Sequence, residues 1–358
     1  MKGKRETING ILLETGITFL AIFLAIVAGG AVMALFGYNP VSAYAALAKG
    51  AFGTFAAFTS TLTKSVPIMF TGLAVAVAFK CGVFNIGAEG QMLMGALSAG
   101  IAGIYIRFLP AILHIPVTLA AACLGGMAWA FIPAGLKQKF KVDVVIGTIM
   151  LNYIAEYFVQ YMILNPLKAD GVATSTRAIE KTAMLPKLLS APNVLNLGYV
   201  LAVGAAFLVY FLFWHTTRGY EMRAVGLNPT ASRWSGINVE KNAFLALIIS
   251  GGLAGLAGGI EVTGSLGKVI VGASSGYGFN GIPVALIAHN NPLIIIFSSL
   301  ILAAMRTGAM MMQTSAGVSK NMVDMIQGLI IVFLCAEYVF RYYIKKGLEK
   351  AGGNVSCQ

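Results

Sequence analysis

LGYVLAVGAAFLVYFLFW, Leu197–Trp214, runs for eighteen residues without a charge. As a helix it would rise about 27 Å, close to the roughly 30 Å hydrocarbon core of a bilayer, and an uncharged apolar run this long reads as a membrane span. Comparable runs lie on both sides of it: Leu12–Phe36, Ser65–Phe79, Ala88–Ile106, Ala111–Leu136, Val144–Leu164, Ala243–Val262, Ile294–Met312 and Val323–Phe340. A shorter apolar piece, Ile282–Ala288, lies between Gly281 and Asn290 and is the weakest of the set. Counting it gives about ten helices and an all-α polytopic membrane protein. Composition agrees. Hydrophobic residues make up 58% of the 358 and charged residues 11%, against about 25% charged in soluble domains, and the mean hydropathy is +0.81. These values exclude a disordered chain, a soluble multi-domain enzyme and a disulfide scaffold. The 42 glycines suit membrane helices, whose backbones approach closely through small residues.

The net charge of +12 reads as topology rather than as affinity for nucleic acid. With the N-terminus cytoplasmic, fifteen of the 25 basic residues fall on inner segments. Five (Lys49, Lys64, Arg107, Lys268, Lys320) fall on short outer ones. Cytoplasmic loops carry such an excess of Lys and Arg, so both termini are expected inside. The basic start MKGKRETING has no small-residue cleavage site behind its apolar run, which suits a retained first helix. The whole chain, 1–358, reads as one transmembrane domain with an outer loop, 165–196, and a cytoplasmic loop, 215–242, and with no nucleotide-binding domain of its own.

The cytoplasmic loop reads HTTRGYEMRAVGLNPTASRWSGINVEKN. Asn228 is suited to cap a helix that Pro229 begins, and Gly236 to end it in the left-handed conformation. The short helix would present Arg233 and Trp234, with Arg223 nearby. It is either a knob for a cytoplasmic partner, since Trp and Arg dominate interface hot spots, or an interfacial helix with Trp at the headgroups.

Polar residues inside spans are costly and mark pathways or helix contacts. In TIMLNYIAEYFVQYM, Asn152, Glu156 and Gln160 recur every fourth residue, and Tyr153, Tyr157 and Tyr161 follow one residue behind. This helix cannot face lipid all round. It lines a hydrated passage for a ring-bearing polar solute, or it hydrogen-bonds to neighbouring helices. KCGVFNIGAEGQ, Lys80–Gln91, breaks two spans with Asn85, Glu89 and Gln91 behind Phe84. It shapes a passage or gate, or is a tight inner turn; broken backbone at membrane depth needs protein or water around it. The ladder Gly251, Gly255, Gly259 is a packing face. GYGFNG lacks the strand–turn–helix setting of a dinucleotide site, the GASSG serine (Ser274) has no placed histidine, and the three scattered histidines support no metal site.

TGLAVAVAFKCGVFNIGAEGQ, VDVVIGTIMLNYIAEY, MRAVGLNPTASRWSGI and GYGFNGIPVALIAHNNP, in this order between about Thr61 and Gln313, resemble the signature blocks of bacterial ABC-importer permeases. The resemblance is closest to the nucleoside and simple-sugar group, which is related to branched-chain amino-acid permeases. FNIGAEGQ and the long outer loop look most like the longer permease of a purine-nucleoside system; Pro283 departs from the small residue expected in GIPVAL. The resemblance implies a permease of the bacterial cytoplasmic membrane that moves a neutral nucleoside inward, with a simple sugar or branched-chain amino acid as alternatives. It implies a second permease subunit, a cytoplasmic ATPase and an extracytoplasmic binding protein or lipoprotein. ATP and Mg²⁺ would be bound by the ATPase and no cofactor by this chain. The segment Asn228–Ile237 matches the coupling helix that docks into the ATPase. A stand-alone secondary transporter is the reading from another class.

Overall fold

The structure, a computed structural model, describes residues 23–335 except 25, 172, 173, 190 and 191. Both termini, the first part of the span expected at Leu12–Phe36 and the last part of that at Val323–Phe340 lie outside the described residues. The helices are α1 (Ile26–Leu35), α2 (Pro40–Phe52), α3 (Phe55–Lys80), α4 (Ala88–Tyr105), α5 (Ala111–Phe140), α6 (Val144–Leu164), α7 (Gly198–His215), α8 (Thr217–Leu227), α9 (Pro229–Trp234), α10 (Val239–Glu261), α11 (Tyr277–Ile287), α12 (Pro292–Ala316) and α13 (Lys320–Cys335). Among the described residues, sheet is confined to a two-stranded antiparallel ribbon in the loop 165–196, β1 (Lys187–Leu189) and β2 (Leu195–Asn196).

Among the described residues, five helical stretches are long and apolar enough to cross a membrane: α3, α5, α7, α12, and α10 continued by a π-turn to Leu266. Helices α4 and α6, with 18 and 21 residues, extend about 27 and 31 Å but carry the polar residues noted above. The chain is therefore an all-α polytopic membrane protein. The expected span at Ile282–Ala288 is different: it belongs to α11, whose 11 residues reach only about 16 Å. A helix that short cannot cross a 30 Å core.

The residues divide into two compact units. One holds the chain up to Gly53 and from Met305 onward. In it Met33, Ala43, Ala46, Met312, Val323 and Ile326 form a buried cluster, and the Tyr44 hydroxyl donates to Ile26 O at 2.8 Å. The other, Thr54–Ala304, is built around α3, which is buried continuously from Ser65 to Ala78. Beside α3 run α11, α10 and α7, and α10 packs in turn on α4 and α5 through glycine. A Cβ added to Gly255 would lie 2.3 Å from Ala122 O, and one added to Gly95 2.3 Å from Gly255 O. Backbones this close exclude any side chain, so the glycine excess has a direct cause in the α4–α5–α10 contact. The loop 165–196 folds down on the helix ends: Glu180 N donates to Gly103 O, Leu185 N to Thr263 O and Thr176 N to Val269 O, all at 2.9 Å.

Candidate functional site

The break between α3 and α4 starts at the end of α3, after Lys80, and reaches inward along the neighbouring helices. Its residues touch Asn152, eight residues into α6, and Ser250, eleven residues into α10. At 1.5 Å per residue those contacts lie about 12 and 16 Å along the two helices, near the middle of a 30 Å core. The segment thus runs from the end of α3 to these inward contacts before α4 begins.

A closed hydrogen-bond network holds it there. Asn85 is fully buried; its Oδ1 accepts from Gly87 N at 2.8 Å, and its Nδ2 donates to Ser250 Oγ at 2.8 Å and Gln91 Oε1 at 3.1 Å. Asn152 accepts from Gly90 N at 2.9 Å and donates to Ile86 O at 3.0 Å. Both groups of the Asn152 amide are therefore spent on backbone, one in a buried and one in a part-buried bond, as buried polar groups require. Glu89, in the first turn of α4, accepts from Gly278 N at 2.7 Å. It faces the N-terminus of α11 as well as lying in the first turn of its own helix, and a carboxylate is favoured at both positive ends. The approach is so close that a Cβ on Gly278 would lie 2.3 Å from Glu89 Cα. The Thr71 hydroxyl adds a bond to Tyr277 O at 2.9 Å. So α11 is a half-helix that starts at mid-depth, fastened to α3 and α4.

The ladder of α6 divides between two faces. Four residues of α-helix advance about 400°, so every fourth position drifts some 40° round the axis. Asn152 belongs to the buried stripe Val144, Thr148, Asn152, Ala155, Val159, Ile163. Glu156 has turned out of the subunit, Gln160 is half-buried, and Tyr153, Tyr157 and Tyr161 are 58, 67 and 60% exposed. The polar and aromatic groups that follow Asn152 are thus presented away from this chain's own bundle. Phe84 is also exposed, stacked on Phe79 with ring centroids 4.3 Å apart. It borders a cavity of about 480 Å³, shared with Lys137, Lys141 and Asp143.

The loop 215–242 is more helical than its sequence suggests at first reading. Asn228 Oδ1 accepts from Ala231 N at 3.0 Å, Pro229 opens α9, and Gly236 takes φ +81°. Trp234 is 88% exposed. Arg233 is bound to Glu240 at 2.8 Å, tying α9 to the start of α10. The helix before it, α8, is an additional element. Its signal is present in the sequence: Thr216 caps Gly219 N at 3.0 Å, and Gly219, Met222 and Val225 recur every third residue on the buried face. Glu221 of α8 accepts from Asn242 Nδ2 at 3.0 Å and pairs with Arg218 at 3.1 Å. The Asn242 amide, and after it Arg218, hold the Glu221 carboxyl below its ordinary value. Arg223 lies apart from the α9 tip: its guanidinium stands 5.5 Å from the ring centroid of Trp214.

A mid-membrane polar lock, a half-helix and a polar helix face turned outward belong to a membrane subunit that moves a solute in company with other chains. Residues 57–335 match the family described as branched-chain amino acid transport system / permease component, and the chain belongs to that family. It is a transport subunit, not an enzyme. It is 38% identical over 343 residues to the guanosine ABC transporter permease protein NupP of Bacillus subtilis, covering 94% of this chain and 97% of NupP. It is 32% identical over 339 residues to the nucleoside permease NupB of Lactococcus lactis (92% and 93% covered). To the glucose permease TsgB13 of Haloferax volcanii it is 30% identical over 353 residues (96% and 93% covered). A second guanosine permease of Bacillus subtilis, NupQ, is 25% identical over 244 residues, 65% of this chain and 75% of NupQ.

Proposed function

We propose that the chain is one permease of an ATP-driven importer that carries a neutral nucleoside, a purine nucleoside in particular, across the bacterial cytoplasmic membrane into the cell. The observation that carries this reading is the outward face of α6. Glu156 lies twelve residues into the helix, about 18 Å along it, and a carboxylate facing lipid at that depth costs about 3 kcal/mol. A second permease supplies a polar counter-face and the passage runs between the two subunits. Tyr153 and Tyr157 offer ring faces to a nucleobase, while Gln160 and Glu156 take hydrogen bonds from sugar hydroxyls. Asn85, Glu89, Gln91 and Asn152 keep the wall behind them in shape. The paired guanosine permeases NupP and NupQ support a heterodimer of paralogues.

The other partners follow from the same reading. Helix α9, with Asn228, Pro229, Arg233 and Trp234, docks into a cytoplasmic ATPase, which alone binds ATP and Mg²⁺. Its movement reaches the spans through the Arg233–Glu240 pair. A binding protein or lipoprotein delivers solute at the outer loop. The likeness to a glucose permease favours a sugar as the second reading, although a sugar makes less use of three tyrosine rings. The test is uptake by the importer reconstituted with its binding protein and supplied with labelled guanosine, glucose or leucine. ATP-dependent guanosine uptake that Tyr157→Ala abolishes is the expected result. Uptake of glucose or leucine without guanosine would overturn the substrate, and uptake without any ATPase would overturn the importer.

A further inference from the structure

Two cations meet one aromatic ring where α3, α7 and α8 converge. Lys80 is the last residue of α3 and Trp214 the penultimate residue of α7. Their positions at the ends of two spans place them at headgroup level. Lys80 Nζ stands 5.9 Å, and the Arg223 guanidinium 5.5 Å, from the centroid of the Trp214 ring. Tyr210 stacks on the same ring at 4.8 Å. Glycine makes the convergence: a Cβ on Gly226 would lie 2.1 Å from Lys80 O, so α8 can press against the end of α3 only without one.

The cluster has no anion of its own. Four ion pairs are formed among the described residues, and neither Lys80 nor Arg223 takes part in any of them. Arg223 Nε is buried without a hydrogen-bond partner. The carboxylate that lines the same cavity, Glu221, is held by Arg218 and Asn242. Trp214 and Arg223 line a cavity of about 800 Å³ between α7, α8 and α9, with Thr217, Tyr220 and Asn228 on its walls. Two like charges gathered on one ring repel each other unless an anion joins them, and basic pockets at the cytoplasmic ends of spans take anionic lipid headgroups.

We propose that Lys80, Trp214 and Arg223 form a site for the phosphate of an anionic phospholipid of the inner leaflet. A lipid fits better than a soluble anion because the cluster sits at two span ends. It fits better than an acidic residue of a partner because the cluster lies at the span ends, whereas the most exposed residues, Leu227 and Trp234 at 89 and 88%, lie beyond it at the end of α8 and on α9. The ring positions the cations and the arginine fork takes the phosphate oxygens. Filled in this way, the site would fix α8, and the α9 knob that follows it, relative to the spans.

The test uses the purified permease complex in nanodiscs of phosphatidylcholine with increasing phosphatidylglycerol. Spin-labelled phosphatidylglycerol reports binding, and native mass spectrometry reports retained lipid. Each charge removed is expected to weaken retention about fivefold, so Lys80→Gln with Arg223→Gln loses roughly 30-fold. Arg223→Lys retains most of the binding, and Lys139→Gln, at the end of α5, leaves it at the wild-type level. If the double variant does not fold, Lys80→Gln alone carries the fivefold test. Wild-type retention in the Gln variants would overturn the proposal. Displacement of the labelled lipid by millimolar inorganic phosphate would assign the site to a soluble anion. Loss of the ATPase from the variant in pure phosphatidylcholine, with lipid retention unchanged, would assign it to the partner protein. Either result refutes the lipid site.

Discussion

Replacing Asn152 by leucine separates wall from passage. The amide fills both of its roles at mid-membrane, accepting from Gly90 N at 2.9 Å and donating to Ile86 O at 3.0 Å, and the residue is only 5% exposed. Leucine keeps the branching of the amide but sets bulkier methyl groups where Oδ1 and Nδ2 stand 2.9 and 3.0 Å from backbone, so some crowding adds to the loss. The change leaves one buried backbone donor and one part-buried backbone acceptor unpaired. Each unpaired buried group costs about 1–3 kcal/mol, which gives about 2–6 kcal/mol for the two. Measured side-chain hydrogen bonds within membranes average nearer 0.6 kcal/mol, because the unfolded reference also finds partners, so the lower end is the safer expectation. Asn152→Leu should therefore lower the melting temperature of the permease in detergent by several degrees and reduce its assembly, with transport falling as a consequence. Tyr157→Ala, 67% exposed on the same helix, should stop transport while leaving the melting temperature of the isolated subunit unchanged. An Asn152→Leu protein that melts with the wild type would refute the lock. A Tyr157→Ala protein that melts early would refute the division of the helix into wall and passage.

Three further outcomes follow. Trp234→Ala should weaken co-purification of the ATPase by roughly 30-fold, as loss of an interface hot spot does. Asn228→Ala, by removing the cap on Ala231 N, should cost the α9 turn about 1 kcal/mol and weaken docking less. Gly255→Val forces a side chain to within 2.3 Å of Ala122 O; overpacking costs about 1–3 kcal/mol, and the variant should appear as reduced yield of monodisperse permease. Glu221→Gln should lower stability near neutrality and flatten its dependence on acid pH. The Glu221 carboxyl lies below its ordinary value of 4.5 in the fold, so its contribution is complete above that value and is lost only as pH falls through the lowered one. The difference in melting temperature between wild type and Glu221→Gln should be constant from pH 8 to 5 and shrink below about pH 4.5.

How far the sequence could be read depended on whether each feature is written locally. Apolar length is local, so α3, α5, α7, α10 and α12 stand out as runs. Capping chemistry is local too: Asn228, Pro229 and Gly236 do in the fold what their residue types favour. Helix α8 was equally local, with Thr216 before Gly219, Met222 and Val225, but its charged face hid the pattern in a loop that read as polar. By contrast, the partner of a polar residue is not written beside it. Asn152, Glu156 and Gln160 share a spacing, yet the first turns inward to Gly90 and Ile86 and the second turns out of the subunit, because a four-residue step overshoots a helical turn. The length of α11 was also hidden: Ile282–Ala288 is apolar enough to belong to a span, but the start of the helix is set by Glu89, 189 residues away, receiving the Gly278 N–H. Both features depend on long-range hydrogen bonds that a bilayer makes obligatory, since a polar group there must find a protein partner where it cannot find water. The same requirement makes the outer face of α6 informative. Its Glu156 and tyrosines remain turned away from a subunit that satisfies Asn85, Gln91 and Asn152 with care, and at mid-membrane such a face is stable only against another polar surface.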